Sequence, residues 1–190
     1  MNLPLVILAS KSPRRKQILS EAGFEVTILT KETEENYPET LELTKVPAYL
    51  AEKKAAVFKE ESCNNLVVAA DTLVLLDGKV LGKPVDSADA IKMIQSLSGK
   101  KHEVITGVTI LYKKKFTTFS DTTEVYFRDL TDDEISYYVE KFKPLDKAGA
   151  YGIQEWIGMI GISKIVGSYY NVMGFPIEKA YRKILALKEG

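Results

Sequence analysis

Apolar residues along this chain fall either in short continuous runs or at helical spacings, and the two patterns predict different elements. Residues 5–9, Leu-Val-Ile-Leu-Ala, form a continuous run suited to a buried strand. Ser12-Pro13 then sets an N-cap residue before a proline at the first helical position, and Gly23 supplies a stop, which predicts a helix between them. Residues 24–29 read as a second strand. Residues 46–59 read as a helix with Val46, Leu50 and Val57 on one face. Leu66–Leu76 is a long apolar, β-branched run, and Asp77-Gly78 turns it back into Lys79-Val80-Leu81, a strong hairpin signal.

Further on, residues 87–98 read as a helix ended by Gly99, and residues 102–112 and 116–127 as a hairpin around Lys113-Lys114-Lys115. Residues 131–141 form a helix in which Thr131 and Glu134 make a capping box. A glycine-rich stretch, residues 148–170, precedes a closing helix over residues 177–188. Strands and helices interleave without a linker, repeat or low-complexity block. The expected architecture is α/β, a mixed central sheet flanked by helices, in one domain over residues 1–190.

The chain has 190 residues, 45% of them apolar, which is enough for a real core. Its 26 basic and 26 acidic side chains cancel, so the basic excess of a general nucleic-acid binder is missing, and the lysine run reads as a solvated turn. No apolar run approaches the ~20 residues that span a bilayer. The beginning of the chain, MNLPLVILASKSPRRK, places its apolar stretch before its positive charges, the reverse of a secretory signal. A cytosolic protein is expected.

A single cysteine, Cys63, excludes an internal disulfide and any CxxC site. The single histidine, His102, opens an alternating strand and reads as a polar residue at a strand edge. Chemistry is therefore left to carboxylates, lysines, arginines and a metal. Ser10-Lys11-Ser12-Pro13-Arg14-Arg15 joins a strand to a helix N-terminus, whose N–H groups and dipole attract anions. Arg14 and Arg15 add donors there, and Arg15 lies in line with the apolar Ile18, Leu19 and Ala22, where a guanidinium needs an anionic partner. A capped surface helix with snorkelling arginines is the alternative.

Glu32-Thr33-Glu34-Glu35 is a carboxylate-rich loop, suited to Mg²⁺ or simply to solvent. Asp71 interrupts a buried run, which is costly unless the carboxylate is paired, metal-bound or hydrogen-bonded to backbone. Lys53 and Lys54 flank the apolar face of their helix, and helical geometry does not choose between them. Lys83 sits on a rigid loop, Gly82-Lys83-Pro84. Residues 146–154, Asp-Lys-Ala-Gly-Ala-Tyr-Gly-Ile-Gln, form a glycine-spaced loop where backbone can approach a ligand; it is neither a dinucleotide fingerprint nor a P-loop.

Taken in order, SxSPRR, the EE loop, LAxxKA, AADT, GKP, TGV, DKAGAYGIQ and GSYYNVMGFP closely resemble the Maf family of nucleotide pyrophosphatases, from Ala9 to Pro176. The resemblance implies a fold related to the inosine-triphosphate pyrophosphatases, a nucleotide-binding cleft, a homodimer and a divalent metal, Mg²⁺ or Mn²⁺. AADT and DKAGAYGIQ resemble the dTTP/UTP branch rather than the sister branch acting on 7-methyl-GTP. A nucleotide-sensing regulator of septum formation without turnover is the rival of a different class.

Carried over by position, Asp71 matches the proton acceptor or metal-linked aspartate and Glu35 the metal-side glutamate. Lys54 and Lys83 match phosphate-contacting lysines, and Arg14, Thr72 and Gln154 match positions tied to base choice. Ser10, Ser12 and Arg15 complete the implied substrate contacts. One departure stands out. After Gln154 many members run on with a glycine, whereas this chain reads Glu155-Trp156-Ile157-Gly158-Met159-Ile160-Gly161, one residue longer. Trp156 either packs on the base or fills a core or dimer contact.

Overall fold

The computed structural model describes residues 3–187. In chain order its strands and α-helices are β1 (Leu5–Leu8), α1 (Pro13–Glu21), β2 (Glu25–Ile28), α2 (Val46–Ala56), β3 (Leu66–Leu76), β4 (Lys79–Leu81), α3 (Ser87–Leu97), β5 (Lys101–Tyr112), β6 (Lys115–Phe127), α4 (Asp132–Phe142), α5 (Trp156–Gly161), β7 (Ile162–Val166), α6 (Tyr169–Val172) and α7 (Ile177–Ala186). The strands form one mixed sheet in the order β2-β1-β3-β5-β6-β7, with β4 paired to β3. The pairs β1·β2 and β1·β3 are parallel; β3·β4 and β6·β7 are antiparallel. The last residue of the expected closing helix, Lys188, lies outside the described residues. No helix among the described residues is long and apolar enough to cross a membrane.

The chain divides into two compact units, each assembled from separate stretches. The first contains the chain up to Asp71, Thr106–Asp121 and the stretch from Gly174 onward; the second contains Thr72–Ile105 and Thr122–Met173.

In the first unit, Ile7, Ala9, Ala55, Phe58, Val67, Ala69 and Leu111 form a buried cluster. The apolar run of β1 earns burial because parallel partners on both edges take its backbone groups. Ser12 caps α1 by accepting from Arg15 N (3.5 Å), and Pro13 opens the helix as expected. Gly107 of β5 decides where α2 sits: a Cβ there would lie 2.2 Å from Ala48 N and Pro47 C, so only glycine lets the helix start lie on the strand.

Helix α2 is shorter than the apolar periodicity suggests. It ends at Ala56, and a tight turn, with Phe58 N donating to Ala55 O, swings Phe58 into the core and leaves Val57 exposed. The loop joining β5 to β6 is also tighter than expected, two residues rather than three. Lys113 and Lys114 both take positive φ (49° and 60°), the twist a two-residue hairpin favours. Buried Ser62 substitutes for turn-forming side chains: its carbonyl accepts from Lys113 N (2.7 Å) and its hydroxyl from Lys114 N (3.3 Å). All three loop-region lysines, 113–115, are exposed.

In the second unit, Asp77 and Gly78 both have positive φ and form the expected turn into β4. Helix α3 packs on α4, and α4 carries the full Thr131/Glu134 capping box. The Glu134 carboxyl is pulled down to about 2, first by hydrogen bonding from Arg128 and then by the Thr131 backbone. The glycine-rich stretch holds two elements that its composition concealed, helix α5 and strand β7, which pairs antiparallel with β6. His102 is not at a strand edge. It lies 2% exposed in β5, between β3 and β6 in the sheet order, sharing a 2.7 Å hydrogen bond with Tyr151 Oη and stacking on Phe127.

Candidate active site

In the first unit, the turn from β1 into α1 carries Ser10, Ser12, Arg14 and Arg15. Arg15 reaches back across this turn: Nη1 donates to Ser10 Oγ (3.1 Å) and Ala70 O (2.8 Å), and Nε to Gly174 O (3.0 Å). The guanidinium in the apolar stripe is received by two backbone carbonyls and a hydroxyl, with the Asp71 and Glu35 carboxylates near enough to favour its charge. Burial lowers its pKa; the Asp71 carboxylate opposes this, Arg14 adds to it, and Glu35 opposes it less. A guanidinium stays charged throughout. Ser10 Oγ also accepts from Ser12 N (3.2 Å), so the turn is preorganised by its own side chains. Arg14 is half-buried beside it.

The centre of the unit is an ion triad. Lys54, in the last turn of α2, places Nζ 2.6 Å from Asp71 Oδ1 and 2.7 Å from Glu35 Oε1. Lys54 and Asp71 each keep 17% of their side-chain surface, whereas Glu35 keeps 67%. The lysine on the neighbouring position goes elsewhere: Lys53 Nζ donates to Asn36 Oδ1 and, at 3.4 Å, to Asn36 O on the exposed loop. Packing therefore makes the choice that helical geometry left open. Asp71 sits mid-strand in β3 because Lys54 meets its charge, which offsets the cost of a carboxylate in an apolar run.

This triad also bears on a metal. Two carboxylate oxygens from separate segments converge on one cationic nitrogen, so the ammonium stands in for a cation between Glu35 and Asp71. Hard divalent ions take such oxygen donors. Among the described residues no group of three or more His, Cys, Asp or Glu gathers as a metal cage. Two carboxylates plus substrate phosphates and water match the habit of Mg²⁺, which rarely uses an all-protein cage.

In the second unit, Thr72 follows Asp71 along β3 and is partly exposed. Lys83 is exposed on the loop after β4. That loop is tied to the glycine-spaced loop by a backbone hydrogen bond from Gly149 N to Gly82 O (3.0 Å). Gln154 ends the glycine-spaced loop and borders a groove of about 530 Å³ with Ile153, Gly158, Met159, Ser163 and Tyr169 among its walls. Its amide oxygen is buried and accepts no hydrogen bond among the described residues. Buried amide oxygens are nearly always paired, so an orphan at a groove wall marks a place for a ligand donor.

Packing decides between the two readings of Trp156, and Glu155 is the feature that escaped sequence reasoning. Trp156 packs against the second unit's core and meets the Tyr137 ring edge-on at 4.9 Å, filling rather than displaying its surface. Glu155 forms an ion pair with buried Lys147 (3.1 Å) and accepts a short hydrogen bond from Tyr138 Oη. A glutamate directly after the candidate base-reading glutamine was the available signal, but its partners lie on other segments.

The Maf family model, described as Maf-like protein, matches residues 5–187. A dTTP/UTP pyrophosphatase of Cytophaga hutchinsonii is 52% identical over 174 residues, covering 92% of this chain and 80% of that protein. A dTTP/UTP pyrophosphatase of Bacteroides fragilis is 46% identical over 184 residues, covering 96% and 95%. Among solved structures, the Staphylococcus aureus Ham1 protein is similar in fold, with a TM-score of 0.54 at 14% identity over 94% of this chain and 98% of that one.

Proposed function

From the premise that this chain belongs to the Maf family, we propose that it is a nucleoside triphosphate pyrophosphatase hydrolysing dTTP and UTP to the monophosphate and pyrophosphate. The observation that carries the mechanism is the convergence of Glu35 and Asp71 on Lys54, a compact charged centre built from an exposed loop, β3 and α2. Hydrolysis joins a water oxygen to the α-phosphorus and breaks the bond to the oxygen bridging the α- and β-phosphorus. Asp71 receives the proton of the attacking water, as its carboxylate in β3 suits a general base. Lys54, with Lys83, meets the negative charge of the phosphates, and Arg15 holds the β1–α1 turn that presents Ser10 and Ser12. When bound through Glu35 and Asp71, Mg²⁺ or Mn²⁺ supplies Lewis-acid neutralisation of the phosphate oxygens.

Phosphate release coupled to an added inorganic pyrophosphatase, run over the eight common nucleotides with Mg²⁺ and Mn²⁺, tests the reading directly. UTP and dTTP are expected to lead. Binding without turnover on any nucleotide would make the protein a sensor instead. A cytosolic homodimer belongs to the same proposal, supported by the family resemblance, and sedimentation at working concentration tests the dimer.

Two substitutions examine the parts. Glu35→Gln is expected to raise the Mg²⁺ or Mn²⁺ concentration needed for half-maximal activity more than it raises the KM for nucleotide, because Glu35 is the exposed member of the triad. An unchanged metal titration would make the loop mere solvated surface. Gln154→Ala is expected to lower kcat/KM for UTP and dTTP more than for CTP. The difference should be about 1–3 kcal/mol, the scale of leaving a buried polar group unpaired. An amide offers both the donor and the acceptor that the two-faced edge of uracil or thymine requires. An equal fall for all nucleotides would make Gln154 a support for its loop.

A further inference from the structure

The geometry points to Glu155 as a positioning residue for base choice, acting through Gln154. The inference rests on the reading of Gln154 as the group that meets the base. The amide oxygen of Gln154 has no hydrogen-bond partner among the described residues. Its neighbour is held from several sides. The Glu155 carboxylate pairs with Lys147 Nζ (3.1 Å) at the start of the same loop and accepts from Tyr138 Oη on α4. Tyr138 Oη in turn accepts from Gly152 N (3.1 Å), so one phenol links the loop's middle to its end.

The backbone closes the same circuit. Glu155 N donates to Gly152 O (3.0 Å), and Glu155 O accepts from Gly158 N (3.0 Å) at the start of α5. Gly152 leaves room for the carboxylate in this position, since a Cβ there would lie 2.8 Å from Glu155 Cδ and displace it. Lys147 is buried and also pairs with Asp146 (2.7 Å). Burial pushes the Tyr138 phenol far above its ordinary range, with the Glu155 hydrogen bond adding to the shift, so the hydroxyl stays a donor to the carboxylate.

The consequence is mechanical. The backbone of residue 154 is fixed between Gly152 and Glu155, both clamped to the same phenol, while the amide end is left for a ligand. A charged, buried clamp of this kind is worth most where a side chain must be aimed without being bonded, because satisfied polar networks rigidify their surroundings. Glu155 touches neither substrate nor reacting atoms in this scheme.

A double-mutant cycle tests it, with kcat/KM measured for UTP and CTP in wild type, Glu155→Gln, Gln154→Ala and the double variant. Glu155→Gln is expected to lower the UTP-to-CTP ratio about fivefold, the effect of losing one aiming hydrogen bond. In the Gln154→Ala background it should change the ratio no further. Tyr138→Phe cuts the same link from the helix side and is expected to lower the same ratio, which keeps the test open should Glu155→Gln fold poorly. If Glu155→Gln and Tyr138→Phe lower both nucleotides equally, or the ratio effects multiply in the double variant, the positioning role is overturned while Gln154 keeps its own. If Gln154→Ala alone leaves the ratio unchanged, the reading of Gln154 fails and takes the inference with it.

Discussion

Asp71→Asn is expected to lower turnover of UTP on the order of 100-fold or more, the scale for losing a general base, while the protein stays folded. Asparagine keeps the shape of the side chain and an oxygen for Lys54, which retains Glu35 as its second partner at 2.7 Å. What disappears is the basicity and half of the carboxylate pair that would hold a divalent ion. The measurement is kcat with saturating Mg²⁺ or Mn²⁺, accompanied by a thermal melt. Turnover close to wild type in a variant with an unchanged melt would remove Asp71 from the chemistry and leave it as a counter-ion for Lys54.

The second large effect concerns stability against pH, and it comes from a residue outside the reaction. Burial depresses the His102 pKa from 6.5 to about 4. An imidazolium would need two acceptors, yet among the described residues only Nε2 has a partner, Tyr151 Oη, and Nδ1 is buried with none. Burial likewise holds Tyr151 above its ordinary range, so it remains a neutral phenol beside the ring. The unfolded chain binds the proton first, near pH 6.5, and the folded protein resists it until about 4. Stability is therefore full above pH 6.5 and falls as the pH drops towards 4, by about 3 kcal/mol at 1.36 kcal/mol per pKa unit.

Carboxylates held low in the fold, such as Glu134 at about 2, contribute a loss that begins only below their unfolded value of 4.5. The window from 6.5 to 5 thus reports chiefly on the histidine. Urea unfolding across that range should show a falling free energy. With one histidine in the chain, a single imidazole proton resonance follows the titration without ambiguity. A midpoint between pH 6 and 7 in the folded protein would show that His102 is not sequestered.

Local physics explains what could be read from the chain. The cap at Ser12, the proline that follows it, the Asp77-Gly78 turn and the Thr131/Glu134 box each act within a few residues, so their sequence signals and their structures agree. The same holds for the long apolar run of β3, whose burial on both faces is set by its composition. Helix α2 marks the limit of this reasoning. Its apolar spacing continues to Val57, but the chain turns early because Phe58 gains more burial in the core than another helical turn offers Val57.

The ordered motifs, and with them the family, were determined by the sequence alone. Which groups meet was decided by tertiary structure. Lys53 and Lys54 are equivalent on a helical wheel, and only the seating of α2 on Gly107 and the pairing of β3 with β1 bring Lys54, 17 residues away, to Asp71. His102 reads as a strand-edge residue until strand order places β5 inside the sheet. Glu155 reads as a departure from pattern until Tyr138 and Lys147, from a helix and a loop start, close around it. In each case the deciding partner is distant in sequence, and the energy of a hydrogen bond or ion pair depends on angstrom-scale placement that strand register and helix packing alone supply.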